Sequence, residues 1–483
     1  MSVPWPAPAR SDSDLLRVIV VAAGIGWAGL FVVIGLRYEL QLYGDGAMFS
    51  YSVAVQDVWA FHWHNISGRA AVYFLCLAPA ETYVALTGDP VGGIAVYGTL
   101  FFAMPLAGLY ATYMADRSPD RAIFNFACAS TALLNPLVFG FPTEMWLAHA
   151  WFWPVLALAH YAPRGVAGLA LVFITLLVLV FTHEGAFVLA FVIVATLAVR
   201  GVHDAAFVRA IGALAAAMVI WVAVKIIFPP GPYFAGVYIR AALGFFDVSL
   251  LHDQLLMLLL ATTIAYAIAW FALARLAPAR APILAAILVA AALALYWLSY
   301  DDALHASERY YMRTLLVIAT PMFGIPAALF ALNADSRLLL AAPLLTRVRK
   351  ALRCLPARAL AGLFVLLTIV HAVETVKFVN AWTHYKAAVR QLAIGTASDP
   401  ALGDPRFVSS DRIGGGINRL AWFSTTHYLS IILAQFAPSR LVVDPSSNYF
   451  WLSCATATAN LDAERAIPQE TRALIVTYAC LHR

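Results

Sequence analysis

The chain is built from a succession of apolar runs, most of them 15 to 23 residues long and separated by short polar segments. They lie at 15–36, 92–114, 122–140, 146–162, 165–182, 185–200, 209–228, 255–275, 281–299, 313–331 and 359–378. A helix rises about 1.5 Å per residue, and the hydrocarbon core of a bilayer is roughly 30 Å thick, so runs of this length read as transmembrane helices. The pattern predicts an all-α polytopic membrane protein with about eleven transmembrane helices, many joined as tight hairpins. A further apolar stretch, 70–87, is interrupted by Pro79 and Glu81.

Beyond residue 379 the pattern changes. Turn-rich stretches (ASDPALGDP, DRIGGGIN, DPSSN) alternate with short β-like runs such as SRLVVD and RALIVTYAC. Residues 380–483 therefore read as a small C-terminal α/β domain, and 15–379 as the transmembrane domain. The polar, Pro-rich segment 1–14 reads as a disordered N-terminus. The first apolar run is too long for a signal-peptide core and has no small-residue cleavage site, so it reads as a retained span.

Composition sharpens the class. Hydrophobic residues make up 63% and charged residues 12% of the chain, against about 25% charged in soluble domains. The mean hydropathy is +0.81. Such a chain cannot cover itself with polar side chains in water. The net charge of +5 comes from loop arginines, and nothing in its distribution points to nucleic acid.

Those arginines set an orientation. Basic loops at 115–121, 162–165, 200–209, 274–280 and 337–358 alternate with acidic or neutral ones at 141–146, 182–185 and 299–311. The basic set reads as cytoplasmic, with the N-terminus inside and the C-terminal domain outside a bacterial inner membrane. Arg10 and Arg17 put the first loop outside, so only one crossing fits between that loop and residue 115. The broken stretch 70–87 is then expected to lie along the outer interface.

Nearly all the chemically interesting residues fall on the outer side. The first loop carries Arg37, Glu39, Asp45, Asp57, His62, His64 and Arg69 among aromatics. Loops of this length are usually functional or disordered, and the aromatic content argues against disorder. A belt of interfacial aromatics with solvated charges is the plainer reading. Glu144 is another outer carboxylate at a span junction. His183 and Glu184 occupy a minimal turn between two spans and, with His62 and His64, offer divalent-metal ligands. Hydrogen bonding between helices would explain the same pair.

Within this loop the stretch D-G-A-M-F-S (45–50) resembles the D-E-x-x-Y-A signature in the first outer loop of GT-C glycosyltransferases, such as the protein O-mannosyltransferases and aminoarabinose transferases. Asp45 matches the Asp, Phe49 the aromatic and Ser50 the small residue, while Gly46 stands in place of the Glu. The resemblance implies a long first outer loop with interfacial helices, eight to fourteen spans and often an outer C-terminal domain. It implies a sugar donor carried on a polyprenyl phosphate, with Asp45 as general base toward an acceptor hydroxyl on a lipid, glycan or protein.

That chemistry also needs cations opposite the leaving phosphate. Arg69, Arg240, Arg309 and Arg313 are the candidates on the same face. In SERYYMR, Arg309 and Arg313 stand at i,i+4, which on a helix would place both on one side, next to Tyr310. Asp57, His62, His64, Glu144, His183, Glu184 and Tyr310 are expected around the acceptor. Of five cysteines, Cys454 and Cys480 share the outer tail, where they could pair or remain two free thiols. P-loop, GxSxG and HExxH motifs are absent from the sequence. A transporter or flippase, and a non-catalytic subunit of an envelope assembly complex, are the alternative readings.

Overall fold

The computed structural model describes residues 10–56, 69–229, 253–301, 304, 306–310, 312–331, 347, 350, 355–395, 402, 405–414, 416–422, 424–444 and 468–481. Asp57, His62, His64, Arg240 and Cys454 lie outside the described residues.

The helices of the bundle are α1 (Arg10–Arg37), α2 (Asp45–Ala54), α3 (Ala70–Thr87), α4 (Pro90–Ala115), α5 (Ala122–Val138), α6 (Glu144–Tyr161), α7 (Val166–Val180) and α8 (Ala186–Ala198). They continue as α9 (Ala205–Ile227), α10 (Gln254–Ala274), α11 (Ala281–Ser299), α12 (Met312–Ala331) and α13 (Ala357–Ile394). Their ends follow from local chemistry. Asp89 caps α4 by accepting from the Gly92 amide at 2.9 Å, with Pro90 fixing the first turn, and Asp253 caps α10 through the Leu256 amide at 3.0 Å.

Among the described residues, eight helices are long and apolar enough to cross a membrane: α1, α3, α4, α9, α10, α11, α12 and α13. The eleven runs expected from sequence include four that fall short of this. α7 and α8 have 15 and 13 residues, and α5 has 17. α6 has 18 residues but carries Glu144, two histidines and three tryptophans. It is buried along nearly its whole length, packed on α4, α5, α7, α8 and α12. A helix shielded from lipid by its neighbours does not need a lipid-compatible surface. The outward faces of α9, α10 and α11 do, and they expose Val219, Ile268 and Leu298.

The loops collect at two ends. At one, Arg358 pairs with Asp12 at 2.9 Å, Tyr161 donates to the Ala331 carbonyl at 2.8 Å, and Arg200 donates to the His160 carbonyl at 3.0 Å. These are the basic loops. At the other end lie residues 37–45, 138–144, 181–185, 301, 304, 306–310 and 312, with the C-terminal part of α13. α3 qualifies as a span by length, yet its contacts return it to this second end. Arg69 at its start meets Glu144 and Glu184, and Val84 near its finish packs on Gly93, in the first turn of α4, which also touches Val53 of α2. Its path bends through a π-helical turn, Tyr73–Leu77, just before Pro79, which has no N–H to continue the ladder. Glu81 is accommodated there by the Tyr73 hydroxyl at 2.9 Å.

The tail forms a small α/β unit: β1 (Phe407–Ser409) pairs in parallel with β2 (Leu441–Val443), in the register Phe407 to Leu441, with α14 (Thr426–Leu433) in the crossover. The run RALIVTYAC, read as β-like, is instead part of α15 (Gln469–Leu481). Thr471, Leu474, Ile475 and Tyr478 are buried at helical spacing, and the Tyr478 ring packs on Phe407, 5.2 Å between centroids. The 3.6-residue period thus overrides the β propensity of Ile, Val and Tyr.

Candidate functional site

The end of the bundle that gathers the carboxylates is built from chain segments far apart in sequence. Asp45 opens α2 immediately after the glycine turn at Gly44, whose φ of +58° suits glycine and whose missing side chain makes room for Phe141. The next residue, Gly46, has no room for a side chain either: a Cβ there would lie 2.2 Å from the Gln41 carbonyl oxygen. The glycine at the second position of the D-G-A-M-F-S stretch is therefore required by packing, and a carboxylate in its place would not fit.

The Asp45 carboxylate is held from the tail. Trp422 Nε1–H donates to Asp45 Oδ1 at 2.8 Å, and three residues on Thr425 Oγ1 donates to the Gly44 carbonyl at 2.8 Å. Trp422 packs on Tyr310 at a tilt of 48°, 4.2 Å between ring centroids, and meets Phe141 edge-on at 5.4 Å, and Phe141 in turn meets Tyr43. The Arg313 guanidinium lies 4.0 Å over the Tyr310 ring and hydrogen-bonds its hydroxyl. Burial pushes the Asp45 pKa up to about 6, against the opposing pull of Arg313, with Glu144 raising it further and the Trp422 hydrogen bond and Arg69 lowering it.

Beside this lies a chain of ion pairs. Arg69 donates to Glu144 at 2.7 Å and, through Nε and Nη2, to Glu184 at 3.1 and 3.0 Å. Lys225, at the end of α9, reaches the second Glu184 oxygen at 3.7 Å. The Ala71 amide also donates to the Phe181 carbonyl, so the start of α3 is stitched to the 181–185 turn. Burial alone would raise both carboxyl pKa values, but Arg69, with His183 and (for Glu184) Lys225, holds them below the ordinary range. His183 Nδ1 accepts from the Gly185 amide at 2.9 Å. Burial and Arg69 lower its pKa to about 4, which keeps it neutral.

The expected helical pairing of Arg309 with Arg313 is not made. α12 begins at Met312, and Arg309 sits ahead of it in a left-handed conformation, φ +62°. Its side chain turns inward, 2% exposed, donating to the carbonyls of Pro136 at 2.6 Å, Phe139 at 3.2 Å and Glu374 at 3.0 Å while lying over the Phe378 ring. It satisfies the orphan carbonyls at the end of α5, where a cation also complements the helix dipole. Of the four candidate phosphate-binding arginines, Arg69 is engaged by two carboxylates, Arg309 by backbone and Arg240 lies outside the described residues. Arg313 has no carboxylate within ion-pair distance among the described residues.

As metal ligands, His183 and Glu184 are engaged elsewhere: a backbone amide occupies the first and two cations the second. No group of three or more such side chains suited to a metal ion occurs among the described residues. Cys480 is disulfide-bonded, and the two described cysteines outside the tail, Cys76 and Cys128, are free and buried.

Sequence reasoning missed Trp422 and Lys225, and also a neighbouring cluster. There Lys377 pairs with Asp301 and lies 3.5 Å from Glu374, which accepts from Trp297 Nε1 at 3.1 Å. Glu374 and Lys377 inside an apolar run were a usable signal, since ionisable residues in spans are functional candidates by default. No protein-family model matches the chain, and neither does any curated protein or solved structure.

Proposed function

We propose that the chain is an integral membrane glycosyltransferase that moves a sugar from a polyprenyl-phosphate donor to a hydroxyl of an envelope lipid, glycan or protein. The basic end of the bundle faces the cytoplasm and the Asp45 end the opposite side. Asp45, as carboxylate, takes the proton of the acceptor hydroxyl. The freed oxygen attacks the anomeric carbon, the bond from that carbon to the phosphate oxygen breaks, and polyprenyl phosphate leaves. Arg313 faces the charge that develops on the phosphate.

The observation that carries this reading is the setting of Asp45. A general base works best with a pKa near the operating pH, and this carboxyl is brought to about 6 by burial while a fixed donor orients it. The half-buried rings of Trp422 and Tyr310 beside it, backed by the buried Phe141, give a sugar ring an apolar face to rest on. The paired carboxylates Glu144 and Glu184 are already held ionised by Arg69 and so are poorer bases.

The test is transfer from a radiolabelled polyprenyl-phosphate sugar in membranes that contain the protein. Asp45→Asn should lower transfer by about 10²–10⁴-fold with protein abundance unchanged. Full activity in that variant, with loss in Glu144→Gln, would move the base elsewhere. Wild-type membranes that transfer no sugar from any polyprenyl-phosphate donor would overturn the enzyme reading in favour of an assembly subunit.

A further inference from the structure

The end of the bundle away from Asp45 carries a groove of about 570 Å³ between α1, the end of α4 and the start of α5. Its mouth is lined by Asp14, Arg17, Arg121 and Asn125, and its wall by apolar side chains including Val18 and Phe124. The two arginines differ in kind. Arg121 is fixed: its guanidinium stacks 3.9 Å over the Tyr113 ring and donates to the carbonyls of Tyr113 and Asp116. Arg17 has no hydrogen-bond or carboxylate partner among the described residues. Asp12 is engaged with Arg358 and Asp116 with the amides of Ser118 and Phe124. Asp14 is the carboxylate that lines the groove.

Asn125 is not free to meet a ligand: its amide nitrogen donates to the Asp120 carbonyl at 2.9 Å and its Oδ1 is buried. The groove therefore offers two guanidinium groups for a phosphate and the Asp14 carboxylate for a group bearing N–H. Beside them lies an apolar wall that includes Val18 and Phe124.

We infer that this groove binds a glycerophospholipid whose head carries both a phosphate and a protonated primary amine, that is, an ethanolamine phospholipid. The phosphate sits on Arg17 and Arg121, the ammonium on the Asp14 carboxylate, and one acyl chain along Val18 and Phe124. A choline head has no N–H to give this carboxylate. A glycerol head brings a net negative charge next to Asp14.

The test uses the full-length protein in nanodiscs with equal parts of ethanolamine, choline and glycerol phospholipids of identical acyl chains, followed by native mass spectrometry of retained lipid. The ethanolamine lipid should be retained about tenfold over the choline lipid, the factor expected of one charge-assisted hydrogen bond. Arg17→Gln should lower retention of all three by about tenfold. Asp14→Asn should abolish the ethanolamine-over-choline preference and raise glycerol-lipid retention. Both side chains are surface-exposed and without partners among the described residues, so neither change should disturb folding. Equal retention of ethanolamine and choline lipids would overturn the head-group assignment, as would a preference for the glycerol lipid. Retention unaffected by Arg17→Gln would overturn the site.

Discussion

At the Asp45 end of the bundle the cations are folded inward: Arg69 between Glu144 and Glu184, Arg309 under three backbone carbonyls, Lys377 against Asp301. At the opposite end they stay at the rim, where Arg358 pairs with Asp12 with 55% of its side chain exposed, against 13% for Arg69. The rim charges are suited to setting orientation and meeting head groups, and exposed pairs of this kind contribute about 0–1 kcal/mol. A buried pair broken by removing one partner leaves an uncompensated charge and costs about 3–5 kcal/mol. The inward network is thus a frame that fixes where Asp45, Tyr310 and Arg313 stand.

The contrast breaks most directly by mutation of one cation at each end. Arg69→Met should destabilise the detergent-solubilised protein by about 3–5 kcal/mol, whereas Arg358→Met should cost less than about 1 kcal/mol. Comparable losses in thermal denaturation would show that the two ends are not different in kind.

Asp45 gives the next largest effect, and its sign is opposite to that of an ion-paired carboxylate. Its folded pKa of about 6 lies above the ordinary 3.8, so the native state holds a proton that the unfolded chain has lost. Stability therefore falls as pH rises from about 4 to about 6. Asp45→Asn should remove that penalty and stabilise the protein by roughly 2 kcal/mol at pH 8, allowing for partial exposure, with little change at pH 4. No pH-dependent difference between the two proteins would mean that Asp45 is solvated and not perturbed.

Two smaller effects sharpen the site. Arg313→Gln should raise the donor KM by about tenfold, the worth of one charge-assisted contact, while Arg309→Gln should act through stability. If both changed donor KM alike, the inward placement of Arg309 would be irrelevant to function. Trp422→Phe keeps an aromatic ring against Tyr310 and deletes the N–H donor. Since that hydrogen bond lowers the Asp45 pKa, the acid limb of the activity profile should move up by about half a unit. An unmoved limb with reduced activity would assign Trp422 a purely structural part.

Much of this layout was legible in the chain because it depends on local chemistry. Apolar runs and loop charges marked the helices and sorted their connections into two ends, and isolated polar residues at span junctions marked Asp45, Glu144 and Glu184. Arg69 was legible as a residue of this end of the bundle, but its pairing with Glu144 and Glu184 was not, because those partners come from turns 75 and 115 residues away. Arg309 was misplaced because i,i+4 spacing assumes a continuous helix, and one left-handed residue ahead of α12 reverses the direction of the side chain. Trp422 was invisible: nothing local distinguishes a tryptophan in a turn-rich tail from one that reaches a carboxylate 377 residues earlier.

The central claim is that Asp45, tuned by burial and oriented by the tail, is the group whose ionisation switches on transfer. The most direct measurement is the pH dependence of single-turnover sugar transfer by the wild-type protein and by Asp45→Asn, between pH 4.5 and 8.5. The rate should rise tenfold per pH unit on the acid side, level off near pH 6, and lose that limb in the small residual activity of Asp45→Asn. A limb that persists unchanged in Asp45→Asn would place the base on another group and contradict the account.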